Sequence, residues 1–201
     1  MKVLVACEFS GIVREAFKKK GHNAWSCDLL PTEIEGNHIQ GDVLEILNDG
    51  WDLMIAHPPC TFLTVTANKW MKPEFESRFP TRKEDRKKAI EFFMQLINAP
   101  IEKICVENPV GIMSTVYQKP SQIVHPYFFG HKEPKKTCLW LKNLPLLTST
   151  DMQEPEYVTT KSGKRMPKWC WHDMPSNSQE RTKFRNRTFQ GIADTMAEQW
   201  G

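Results

Sequence analysis

The chain has no run of 18 apolar residues, the least a membrane-crossing helix needs, so no membrane partner is expected. Its first residues, MKVLVACEFSG, turn polar too soon for a signal peptide, which makes the cytoplasm the expected location. Cys-x-x-Cys is absent. Of the six cysteines (7, 27, 60, 105, 138 and 170), Cys7, Cys27, Cys105 and Cys138 sit in or beside apolar strand-like runs, where free cysteine serves as a small buried residue. Cys170-x-His172 is the one close Cys/His pair, and without a second pair at finger-like spacing no metal site is expected. Internal repeats and low-complexity tracts are also lacking, which removes solenoids and fibrous architectures.

What is present describes an ordinary globular chain. With 201 residues, 40% apolar and 25% charged, it is long enough to bury one sizeable core. The net charge of +3 says less than its distribution. Residues 161–187 hold eight Lys/Arg against Asp173 and Glu180 alone, a pattern that suits phosphate neutralisation or a solvated basic face.

The first half alternates strand-like and helix-like segments. Strands are predicted at 2–6, 23–28, 51–57 and 103–108, with a short strand or turn in HIQGDV and helices at about 12–20 and 81–98. Apolar residues at Ile90, Phe93, Met94 and Ile97 carry the helical spacing of the last. This alternation implies an α/β fold with a mainly parallel sheet. Beyond it come a strand within 136–147, a loop-rich basic insertion at about 148–183, and a C-terminal helix in TFQGIADTMAEQW. The whole, 1–201, reads as a single domain.

Ligands of open α/β sheets collect at the carboxyl ends of the strands. Phe9-Ser10-Gly11 there permits a tight turn into a helix. Asp28 stands where ribose hydroxyls could be held, and Asp42 where an adenine amino group could be taken. Cys60 follows two prolines in IAHPPCTFLT, and Glu107-Asn108 end the next strand. Each acid alone reads as a cap or a solvated turn, and Cys60 alone as inert core filler. Together they outline a nucleoside site beside a cysteine and a carboxylate.

In order and approximate spacing these residues resemble the DNA cytosine-5 methyltransferases. EFSG is similar to the family's Phe-(Ser/Ala)-Gly turn over the adenine of S-adenosylmethionine (AdoMet), and Asp28 matches its ribose-binding acid. GDV, with Asp42 and Val43, resembles its Gly-Asp-(Ile/Val) turn. PPCT resembles the Pro-Cys-Gln nucleophile loop, and VENPVG the Glu-Asn-Val strand end. FRNRTFQGIADTMA, with Asn186, is similar to the Phe-Gly-Asn-Ser segment and helix that return to the cofactor. The resemblance implies a Rossmann-like AdoMet-dependent methyltransferase fold with helices on both faces, and a C-terminal helix closing on the cofactor site. It implies AdoMet held by Phe9, Ser10, Gly11, Asp28, Asp42, Val43, Pro59 and Asn186, with Cys60, Glu107 and Lys135 as the catalytic residues. Three features depart from the family. Cys7-Glu8 replace the acid before the first turn, and a second glycine there is missing. EPKKT stands for the Gln-x-Arg-x-Arg strand, with Lys135 and Thr137 in the arginine positions. The target recognition domain is absent, since only about 45 residues separate CLWL from the final helix.

The implied reaction suits these residue types. A cysteine thiolate adds to cytosine C6 and makes C5 nucleophilic, while Glu107, as a protonated or shared carboxyl, bonds ring N3 and the amino group. Lys135 would hold the O2 atom as a single point charge. Trp70, Phe75 and Phe79, among basic residues, suit either stacking on a flipped base or packing under a long loop. The expectation is therefore a cytosine-C5 methyltransferase acting on DNA, on single-stranded or short substrates, or with a protein partner that supplies recognition. An amino-group methyltransferase, whose tetrad would here read HPPC, and a decayed fold that only binds nucleic acid or a partner, are the alternatives.

Overall fold

The computed structural model describes all 201 residues. Val-, Leu- and Ile-rich runs make the central strands, as expected where both faces of a sheet are covered. In chain order the elements are β1 (Lys2–Ala6), α1 (Ile12–Lys19), β2 (Asn23–Asp28), β3 (His38–Gln40), β4 (Leu53–Ala56), α2 (Arg82–Ile97), β5 (Lys103–Pro109), α3 (Met113–Val116), β6 (Gln122–Val124), β7 (Thr137–Lys142), β8 (Tyr157–Thr159), β9 (Arg165–Pro167), α4 (Lys168–Trp171), α5 (Ser178–Asn186) and α6 (Gln190–Trp200).

Seven strands form one sheet in the order β3-β2-β1-β4-β5-β7-β6. β1 pairs in parallel with β2 and β4, β2 with β3, and β4 with β5, whereas β7 runs antiparallel to both neighbours. This is the Rossmann-like, mainly parallel α/β arrangement that the methyltransferase resemblance implies.

Alternation along the strands divides the core. Leu4, Ala6, Met54, Ala56, Ile104 and Val106 face α2, whose Phe93, Leu96 and Ile97 cover them. Val3, Val5, Leu53, Ile55 and Cys105 face α1 and α6 through Val13, Phe17, Ile192 and Met196. Each large side chain so buried contributes about 1.5–3 kcal/mol. Trp140 on β7 meets Phe93 edge-on at 5.1 Å and keeps its indole N–H bonded to the Gln118 carbonyl. No helix is long and apolar enough to cross a membrane.

The basic insertion is more ordered than a loop reading allows. β8 and β9 form a two-stranded hairpin, α4 follows, and α5 begins within the same stretch. α5 has no buried residue, so no apolar periodicity marked it in the sequence. Its cap was visible: the Asn177 side chain accepts from the Gln179 and Glu180 amides. After GDV the chain makes a short 3-10 turn, Val43–Ile46.

Candidate active site

β2 and β3 lie on one side of β1 and β4 on the other, so the winding reverses between β1 and β4. A cleft of about 750 Å³ opens at the strand ends beside that point. Cys7 and Phe9 follow β1, Asp28 ends β2, His57–Cys60 follow β4, and Glu107–Pro109 end β5; all of them line it. Lys135, Trp169, Arg185 and Asn186 complete the lining from the segments before β7 and in α4 and α5.

The turn after β1 is built around a buried acid. Cys7 takes the left-handed conformation, φ 57°, which costs a non-glycine residue about 1–2 kcal/mol. Glu8 is thereby turned inward, where its carboxylate accepts from the Val13 and Arg14 amides at 2.7 and 3.2 Å and from the Ser10 hydroxyl. Burial pushes its carboxyl up, against the opposing pull of His57 and these hydrogen bonds. Arg14, fully buried, reaches Ser26, Thr32 and the Ile34 carbonyl at 2.9, 3.1 and 2.6 Å. It thus holds the 29–36 loop, whose Leu30 borders the cleft.

The 57–64 loop that carries Cys60 is braced at several points. Asn108 donates through Nδ2 to the Pro58 carbonyl at 2.9 Å, and the Cys60 carbonyl accepts from the Leu63 and Thr64 amides. Arg86 bonds the Phe62 carbonyl, and the Ile112 amide bonds that of Leu63. Burial, then the Glu107 carboxylate, raises the Cys60 thiol; Arg185 and Lys135 pull it down and are outweighed.

Glu107, expected as a protonated or shared carboxyl, is paired with His57. Burial pushes it up, but the hydrogen bond and charge of His57, with Lys135, outweigh burial and leave it below the usual carboxylate range. His57 Nδ1 lies 3.0 Å from Glu107 Oε2 and must donate, because an ionised carboxylate only accepts. Its Nε2 is buried with no partner, a cost of about 1–3 kcal/mol. Lys135 is engaged too, its Nζ bonded to the Arg185 carbonyl at 2.9 Å.

Of the residues singled out in the sequence, Phe9, Asp28, Pro59, Cys60, Glu107, Lys135 and Asn186 line this cleft together. Ser10, Gly11, Asp42 and Val43 do not. Ser10 bonds Glu8, Gly11 supplies the φ of 75° that starts α1, Asp42 caps the turn at Leu44, and Val43 is core. The C-terminal helix α6, expected to close on the site, packs on α1 and adds nothing to the lining; α5 reaches the cleft instead. Trp70 borders the cleft while Phe75 and Phe79 pack edge-on against it at 5.0 and 5.3 Å, so two of the three aromatics serve packing. Within the basic stretch, Lys168 and Arg187 are paired with Glu156 and Glu33, and Arg185 faces the cleft. Sequence reasoning gave no individual site role to His57, Glu8, Arg82 or Arg185, whereas KWCWH (168–172), read as a base or backbone contact, does bring Trp169 to the cleft. For His57 the signal was its place in HPPC beside the next parallel strand.

No protein-family model matches the chain, and no curated protein matches it in sequence. Among solved structures it is similar to an E. coli prophage protein provisionally assigned as a DNA modification methyltransferase. That likeness has 14% identity and a TM-score of 0.48, and covers 92% of this chain and 69% of the other. Similarity at that level says nothing about the chemistry of the cleft.

Proposed function

We propose that the protein is a cytosine-C5 methyltransferase acting on DNA with AdoMet as methyl donor. The observation that carries this reading is that one cleft holds a braced cysteine, a strand-end glutamate, and an aromatic–carboxylate pair, Phe9 and Asp28. The residues fit the cofactor: Phe9, Leu30 and Pro59 offer apolar surface to an adenine, and Asp28 an acceptor for ribose hydroxyls. AdoMet, when bound, supplies an electrophilic methyl group. This chain's residues do the rest. Cys60 adds to C6 of a base taken out of its stack, Glu107 engages N3 and the amino group, and Lys135 with Arg185 offsets the charge around the sulfur. Arg82, Arg185 and Trp169 at the cleft suit a DNA strand, through phosphate contact and stacking. Because only about 45 residues separate CLWL from the final helix, the reading takes single-stranded or short DNA as substrate, or a partner protein that supplies recognition.

Trapping on DNA carrying 5-fluorocytosine, with AdoMet present, tests the reading. Wild type forms a covalent adduct and Cys60→Ser forms none. Absence of an adduct on any DNA, with no AdoMet binding by calorimetry, refutes it. A second reading, a fold that binds nucleic acid without catalysis, draws on two features: burial and Glu107 raise the Cys60 thiol, and Lys135 is tied to a backbone carbonyl. DNA binding without an adduct would favour it.

A further inference from the structure

His57 is a buried side chain of the cleft with no part in the reaction proposed above. Its presence beside Glu107 follows from sheet register: β4 and β5 pair in parallel with Ala56 opposite Val106, so the next residues of both strands emerge side by side. The ring is 7% exposed. One nitrogen holds Glu107, and the other is buried without a partner. From the turn after β1, the Glu8 carboxylate faces the ring by charge, beyond hydrogen-bond reach. One imidazole therefore holds one carboxylate, Glu107, by hydrogen bond and feels the charge of a second, Glu8.

The arrangement meets a chemical need. An ionised Glu107 accepts hydrogen bonds and cannot give N3 a proton, and the Nδ1 proton of His57 is the one hydrogen-bonded to it. We propose that His57 is the positioning residue that supplies, through Glu107, the proton taken up at cytosine N3 as Cys60 adds to C6. This rests on the cytosine-C5 reading of the cleft. As the thiolate sulfur forms its bond to C6, the C5–C6 π pair moves to C4–C5, and the C4–N3 pair becomes the new N3–H bond. The proton comes from the Glu107 carboxyl, which takes its own from the His57 imidazolium and leaves that ring neutral. When sulfur departs, the electron pairs return and the proton goes back along the same path. The charged and titratable groups around the pair are Glu8 from the first turn, Cys60 from the loop, Cys105 and Cys138 from β5 and β7, and Lys135 and Arg185 facing the sulfur.

The test is the single-turnover rate of Cys60 adduct formation on a 5-fluorocytosine oligonucleotide with AdoMet, followed across about pH 5.5–9.5. His57→Asn keeps an N–H donor near the Nδ1 position but carries no titratable proton. It is expected to bind DNA and AdoMet within about twofold of wild type. Its adduct rate falls about 30-fold or more, and the falling limb of the pH profile moves to lower pH. His57→Gln, run alongside, gives the same loss and covers an Asn variant that fails to fold. A wild-type rate and profile in His57→Asn overturns the relay, as does a slower rate with an unshifted profile, which marks a brace alone. Wild type with no adduct on any DNA overturns the relay and the C5 reading together. A wild-type adduct with an unaltered His57→Asn overturns the relay only.

Discussion

Arg187 grips Glu33 across 154 residues of sequence, its Nε and Nη2 reaching the two carboxylate oxygens at 2.9 and 2.8 Å. Glu33 belongs to the loop that brings Leu30 to the cleft, and its amide bonds the Phe9 carbonyl; Arg187 directly follows Asn186. The pair thus ties together two cleft-bordering segments that share no regular secondary structure.

Arg187→Ala is expected to cost only about 0.5–1 kcal/mol in a denaturant melt, because the guanidinium is largely solvated. Its larger effect falls on AdoMet binding, with Kd raised about fivefold by calorimetry as the 29–36 loop loosens. The difference from wild type shrinks in high salt, which screens an exposed pair. An unchanged Kd would assign the pair to surface charge alone.

Glu107→Gln separates the reactivity of the sulfur from catalysis. The Glu107 carboxylate opposes ionisation of Cys60, so its removal moves the thiol's titration to lower pH. Iodoacetamide labelling of the Cys60 peptide, measured against pH, then reaches its midpoint earlier in Glu107→Gln than in wild type. Methyl transfer meanwhile drops by about 100-fold or more, since N3 loses its acid. Burial holds up the thiols of Cys7, Cys27, Cys105 and Cys138, which keeps the labelling background low.

Asn108→Ala removes the bond to the Pro58 carbonyl from a fully buried position. A loss of about 1–2 kcal/mol is expected in urea, with the m-value unchanged. Cys60 labelling speeds up as the loop loosens at that end. Gly111→Ala acts on the other end and more severely: a Cβ there would overlap the Leu63 carbonyl, breaking the Thr64–Gly111 bridge and displacing the loop. Adduct formation by Gly111→Ala at wild-type rate would show that loop position is unimportant.

How far sequence could lead depended on which signals are local. The predicted β1 and β2 coincide with the observed strands, and α2 and β5 fall within a residue of prediction, because apolar runs and helical spacing are written over short stretches. β6 is three residues long, and β8 and β9 lie in a polar segment, so neither carries enough pattern to read. In the site, residues at strand ends were legible because the fold class itself says where ligands bind. The His57–Glu107 pair was not, since it depends on the register of two strands 50 residues apart. The charge state of Glu107 depends in turn on that pair.

Arg14 tests what holds the Leu30 side of the cleft. Its guanidinium bridges β2, at Ser26, to the 29–36 loop, at Thr32 and Ile34, from a fully buried position. Removing it strips charge-assisted hydrogen bonds from the buried Ser26 and from Thr32 and the Ile34 carbonyl, each contributing about 1.5–3 kcal/mol. Arg14→Ala should therefore lose about 3 kcal/mol or more, roughly 6–12 °C in Tm for a chain this size. Arg14→Lys is expected to recover less than half of that, because one ammonium on a flexible stem cannot span acceptors that a planar fork joins. If Lys restored full stability, the buried charge alone would suffice and the fork would have no part in setting the loop.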